Sequence, residues 1–152
     1  MSEIGNDKRK RLQESDAYLN LTPHAIHVFD SSGTKIIHEF PVSGHVLRLK
    51  TTKQVKLEAP EYLRNLGVEV YSKQEFDGIE ITGVIELDIP KFLAKYDNII
   101  VSMPCAQYIE ESGLPTGKPM HVYIPDSGPE GGVRGKGGEI IGTKRLLDYA
   151  IL

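Results

Sequence analysis

Seven glycines, one arginine and one lysine share the stretch DSGPEGGVRGKGGEIIG, from Asp126 to Gly142. Glycine admits positive φ and leaves room for backbone N–H groups to approach a ligand. Successive N–H groups of that kind form an anion-binding nest, and Arg134 or Lys136 would add countercharge. Gly131 and Gly132 are the candidate glycines for such a nest. The spacing matches neither GxxxxGK[ST] nor GxGxxG, and a strand-like segment follows Gly138 where both motifs need a helix. The same stretch also reads as a plain connection between strands. For an anion to sit here, Asp126 and Glu130 must point away from it.

Other reactive side chains are scattered. The five histidines are His24, His27, His38, His45 and His121. His24 and His27 fall on opposite faces of a strand, and no cysteine or carboxylate stands at a ligand spacing, so no metal site is expected. Nor is any histidine expected within hydrogen-bond reach of a carboxylate in a cleft, the arrangement that general-base catalysis requires. Cys105 has no local base and reads as buried and inert. Glu110, Glu111, Asp126 and Glu130 read as solvated loop acids. Arg48, within an apolar stretch, either snorkels outward or addresses an anion. Arg145 stands near the last glycine. No catalytic residue and no cofactor is assigned.

The elements that would position these groups are mostly strands. AIHVF (25–29), the turn DSSG (30–33) and TKIIHEFP (34–41) form a β-hairpin, with Ala25, His27 and Phe29 on one face. Val46 and, further on, Val55 and Leu57 alternate with polar residues, so a second hairpin is expected to turn near Thr51 to Lys53. APEYLRNLG has the proline-first, glycine-last signature of a short helix. VEVYS and GIEITGVIEL are strand-like, with Ile79, Ile81 and Gly83 sharing a face. DIPKFLAKYDN reads as a helix capped by Asp88. Ile99 to Val101 is an unbroken apolar run, the pattern of a central strand covered on both faces, ended by Pro104. MHVYIP and EIIGTKRLLDYAIL supply one strand each. Residues 1–17 read as a flexible arm and 18–152 as a single β-rich α+β domain. Its sheet is curled, mixed or antiparallel and barrel-like, with one or two short helices.

The chain has 152 residues and a formal net charge of -3, which argues against a general nucleic-acid binder. A single cysteine excludes a disulfide framework and fits a reducing cytoplasm. No apolar run is long enough to span a membrane, and the polar start lacks a secretory h-region. The apolar ending YAIL, with the frequency of symmetric dimers, predicts a homo-oligomer.

Four stretches carry a resemblance: Leu21 to Asp30 beginning LTPH, Pro41 to Leu49 with its SG corner and Arg48, Ile99 to Ala106, and Gly138 to Leu146 containing GEIIG. Together they resemble a group of small, mostly uncharacterised phage, prophage and bacterial proteins. The resemblance implies a phage or mobile-element setting and brings no established activity. Small size, the lack of a catalytic signature and basic residues near glycine-rich or corner segments give the expectation of a protein that binds an anionic, nucleotide-like small molecule through Arg48, Arg134, Lys136, Arg145, Gly131 and Gly132. In a phage such a protein would act as a sponge for a host immune signal. The alternatives are a small hydrolase acting on a nucleotide or nucleic-acid component, and an inhibitor that binds a host protein.

Overall fold

The computed structural model describes residues 18–114, 116 and 118–149. The expected arm, residues 1–17, and the last residues of YAIL lie outside the described residues. The fold is α+β and strand-rich, but no barrel closes. Strands gather instead into two four-stranded sheets and two two-stranded ribbons.

The first sheet has β1 (Tyr18–Asn20), β8 (Asn98–Ile100), β9 (His121–Pro125) and β12 (Leu146–Asp148) in that order. β1, β8 and β9 run parallel, and β12 is antiparallel to β9. β8 is central, and Ile99, Ile100 and Val101 are fully buried, as the apolar run predicts. Strand alternation sends Leu19, Ile99, Val122 and Ile124 to one face, where they join the main core.

Opposing that face is a helix the strand reading missed, α3 (Met103–Ser112). Pro104 lies in its first turn, where a missing N–H costs nothing, so it starts this element rather than ending a strand. Cys105, Ala106 and Ile109 follow helical spacing and face the core. Glu110 and Glu111 therefore lie on a helix, not in a loop. α2 (Ile89–Leu93) adds Ile89 and Leu93 to the same cluster. It follows a 3-10 turn at Glu86–Asp88, so Asp88 has helical dihedrals and its carboxylate makes no cap bond.

The second sheet runs β10 (Gly132–Arg134), β11 (Ile140–Thr143), β2 (Ile26–Phe29), β3 (Ile36–Phe40). β2 and β3 form the expected hairpin. A bulge between Val28 and Phe29 breaks the alternation, so Ile26 and Phe29 are both buried although they are three apart. The expected final strand is two strands in different sheets. β11 belongs to the second and β12 to the first, and the chain crosses over at Lys144 and Arg145.

The second hairpin is not formed as expected. β4 (Leu47–Thr51) pairs with β7 (Phe76–Ile81), placing Leu47 opposite Ile81 at the core. β7 stops at Ile81, because Gly83 has a φ of +76° and turns the chain. Between β4 and β7 the chain makes an excursion. β5 (Lys56–Leu57) pairs with β6 (Val70–Tyr71) across α1 (Glu61–Asn65), and Thr52 N–H donates to the Glu75 carbonyl at its base. α1 ends at Gly67, with φ of +78°, and Val68 N–H reaches back to the Leu63 carbonyl at 2.9 Å.

Candidate functional site

The glycine-rich stretch holds a carboxylate of its own. Asp126 is buried, and its Oδ2 accepts from Arg145 Nε at 2.6 Å while its Oδ1 accepts from Gly128 N–H at 3.0 Å. The Arg145 bond, then that of Gly128, holds the Asp126 carboxyl below its ordinary value. A Cβ at Gly131 would lie 2.5 Å from Asp126 Oδ2, and one at Gly132 would lie 2.7 Å from the Ser127 carbonyl. These two glycines are therefore required by the chain's own packing. Thr143, also buried, puts its hydroxyl within reach of the Asp126, Gly131 and Arg145 carbonyls. Arg134 closes its hairpin by donating to the Gly138 carbonyl at 2.7 Å. Lys136 is exposed in the same hairpin, and Arg48 is exposed on β4, in a different sheet. Beside Asp126 is a recess of about 170 Å³, against the ordinary ligand-pocket range of about 300–1,000 Å³.

Cys105 is buried and donates to the Leu47 carbonyl at 3.6 Å. Burial pushes its thiol pKa up, which keeps it protonated and unreactive. Among the described residues, no three histidine, cysteine or acidic side chains gather as a metal site would require.

A different set of side chains converges on the outer face of the first sheet. His121 and Tyr123 are two apart on β9 and stack, with ring centres 5.8 Å apart and planes within 14°. Tyr123 stacks on Tyr18 of β1 at 6.0 Å, and Tyr18 meets Phe40 of β3 at 5.8 Å. Phe40 in turn takes His38 edge-on at 4.5 Å. Five rings thus form one ladder that bridges both large sheets, at separations favourable for ring pairs. Burial first, then Asp148 and Tyr18, raises the Tyr123 phenol, so this rung stays neutral.

Beside Tyr18 and Phe40 of the ladder is a groove of about 320 Å³, lined also by Asn20, Pro41, Val42, Ser43 and Tyr96. Two corners of the chain shape it. Asn20 is buried and its amide lies within 3.2 Å of the His24, Phe40 and Pro41 carbonyls, while its Oδ1 accepts from Thr22 N–H and Oγ1. Ser43 Oγ donates to the Asn20 carbonyl at 2.6 Å. The LTPH and SG corners are thereby tied together through one asparagine. Near Tyr96, Lys118 Nζ donates to the Ala94 and Tyr96 carbonyls, each at 3.1 Å, and pairs with Asp97 Oδ1 at 2.9 Å.

One histidine has a carboxylate in hydrogen-bond reach, outside any cleft. His121 Nδ1 is 2.8 Å from Asp148 Oδ2, because antiparallel pairing of β9 with β12 sets Asp148 opposite Tyr123 on the same face. The pair sits on an open strand surface, with His121 half exposed.

Sequence reasoning missed Tyr18, Phe40 and Tyr96, which are far apart along the chain. The signal within reach was His121-Val122-Tyr123, whose spacing of two puts both rings on one strand face. No known protein family, curated protein or solved structure matches this chain. Among the described residues no helix is long and apolar enough to cross a membrane.

Proposed function

We propose that the protein binds a nucleotide-like small molecule by stacking its base in the groove between Tyr18, Phe40 and Tyr96. The observation that carries this reading is a groove of about 320 Å³ lined by three aromatic residues, two of which, Tyr18 and Phe40, belong to the ring ladder. The ring faces of Tyr18 on β1 and Phe40 on β3 would hold a planar base at little entropic cost, and each stacked base contributes about 1–3 kcal/mol. In the phage setting that the sequence resemblance implies, such binding in the cytoplasm would sequester a host signalling nucleotide. The expected seat of the anion at Arg134, Lys136 and Arg145 is less well supported, since Asp126 already occupies Arg145 and Gly138 occupies Arg134.

Calorimetric titration with a panel of linear and cyclic nucleotides tests the reading. Tyr18→Ala and Phe40→Ala should each weaken binding roughly ten- to a hundredfold, whereas Arg134→Ala should leave it unchanged. A panel in which no member binds removes the proposal.

The His121–Asp148 pair favours one second reading, a hydrolase in which His121 acts as general base and Asp148 orients it. Turnover of a nucleotide that His121→Ala abolishes would promote it.

A further inference from the structure

We infer that the groove recognises the base of its ligand and leaves the phosphate in solvent, so that it takes a purine nucleoside as tightly as the corresponding nucleotide. This rests on the base-stacking reading and adds which part of the ligand is read. Among the described residues that line the groove, none is charged. Two of them, Asn20 and Ser43, have polar side chains that are engaged by the chain itself. The Asn20 amide nitrogen faces the His24, Phe40 and Pro41 carbonyls at 2.9–3.2 Å, and its Oδ1 accepts from Thr22 N–H and Oγ1. A primary amide has two N–H donors and two acceptor sites, so none is left over for a ligand. Ser43 Oγ donates to the Asn20 carbonyl and accepts from His45 N–H at 3.1 Å.

The cations are committed in the same way. Lys118 has three N–H groups for three acceptors, the Ala94 and Tyr96 carbonyls and Asp97 Oδ1. Arg134 and Arg145 are held by the Gly138 carbonyl and the Asp126 carboxylate. A phosphate drawn into the groove would shed water and gain no charge-assisted bond in return, which favours the pose that keeps it outside. What the lining offers instead is apolar, three rings with Leu19, Pro41 and Val42. Stacking grows with the area of the base, so a bicyclic purine gains more than a monocyclic pyrimidine. The Tyr18 and Tyr96 hydroxyls can each donate or accept, so they suit the edge of adenine or guanine alike. A site that hydrogen-bonds its ligand rejects a near analogue strongly, and this lining holds no side chain placed to do so.

Calorimetric titration of the full chain with adenosine, adenosine monophosphate, guanosine and cytidine, at about 50 and about 300 mM salt, tests the inference. Adenosine, its monophosphate and guanosine should agree within about threefold at both salts, and cytidine should bind at least about fivefold more weakly. Lys118→Met should leave both adenine ligands unchanged, and Tyr18→Ala should weaken both by the same factor. A monophosphate at least about tenfold tighter than adenosine, and weakened by salt or by Lys118→Met, would place the phosphate on a cation. That result overturns the inference and leaves the stacking reading standing, as does cytidine binding as tightly as adenosine. If none of the four ligands binds, the stacking reading falls and the inference falls with it.

Discussion

Arg145 Nε donates to Asp126 Oδ2 at 2.6 Å, across a loop whose glycines leave room for that carboxylate and little else. The bond joins the end of β9 to the point where the chain leaves one sheet for the other. Asp126 N–H and the Arg145 carbonyl are hydrogen-bonded as well, at 3.1 Å. The anion that this glycine-rich loop cradles is part of the chain.

A pH dependence follows. The Asp126 carboxyl titrates below its ordinary 3.8 in the folded protein. Its contribution to stability is therefore complete above the unfolded value and is lost as pH falls through the folded one. Asp126→Asn should be less stable than wild type at neutral pH, and the gap should narrow from about pH 4 downward. Urea denaturation of both proteins across that range checks it, and a gap that is independent of pH would show the ion pair to be idle.

Gly142→Ala should destabilise by about 1–3 kcal/mol, the cost of overpacking. A Cβ there would lie 2.6 Å from the His27 carbonyl and 2.5 Å from the Phe29 ring, where β11 runs beside β2. The readout is the urea midpoint at constant m-value.

Asn20→Ala should cost about 2–3 kcal/mol, because it strips the buried partner from the turns at Thr22–His24 and Phe40–Pro41. It should also impair ligand binding, since those turns shape the groove. Ser43→Ala, which removes the hydroxyl that donates to the Asn20 carbonyl, should cost only about 1 kcal/mol. Thermal unfolding of the two variants should rank them in that order.

What the sequence disclosed was local. The apolar run Ile99 to Val101 announced a central, doubly covered strand because such a strand need not alternate. The β2–β3 hairpin and α1 were legible from turn residues and the Gly67 stop. The β4–β7 pairing was hidden because a long excursion separates its strands, and nothing short-range marks which partner Leu47 will choose. α3 was hidden because Pro104 reads as a breaker unless it is known to lie in a first turn. The groove was the least legible feature. Tyr18, Phe40 and Tyr96 come from three separate segments, and only the parallel β1–β8 pairing and the Asn20 corner bring them together.

The central claim, a base stacked in the Tyr18–Phe40–Tyr96 groove, is tested most directly by aromatic carbon–proton NMR during titration with adenosine monophosphate. Ring currents from a stacked base should move the Tyr18, Phe40 and Tyr96 resonances progressively upfield, with smaller shifts at Tyr123. The glycine-rich hairpin around Arg134 should stay unmoved. Shifts confined to that hairpin, or none at the three rings at saturating nucleotide, would contradict the account.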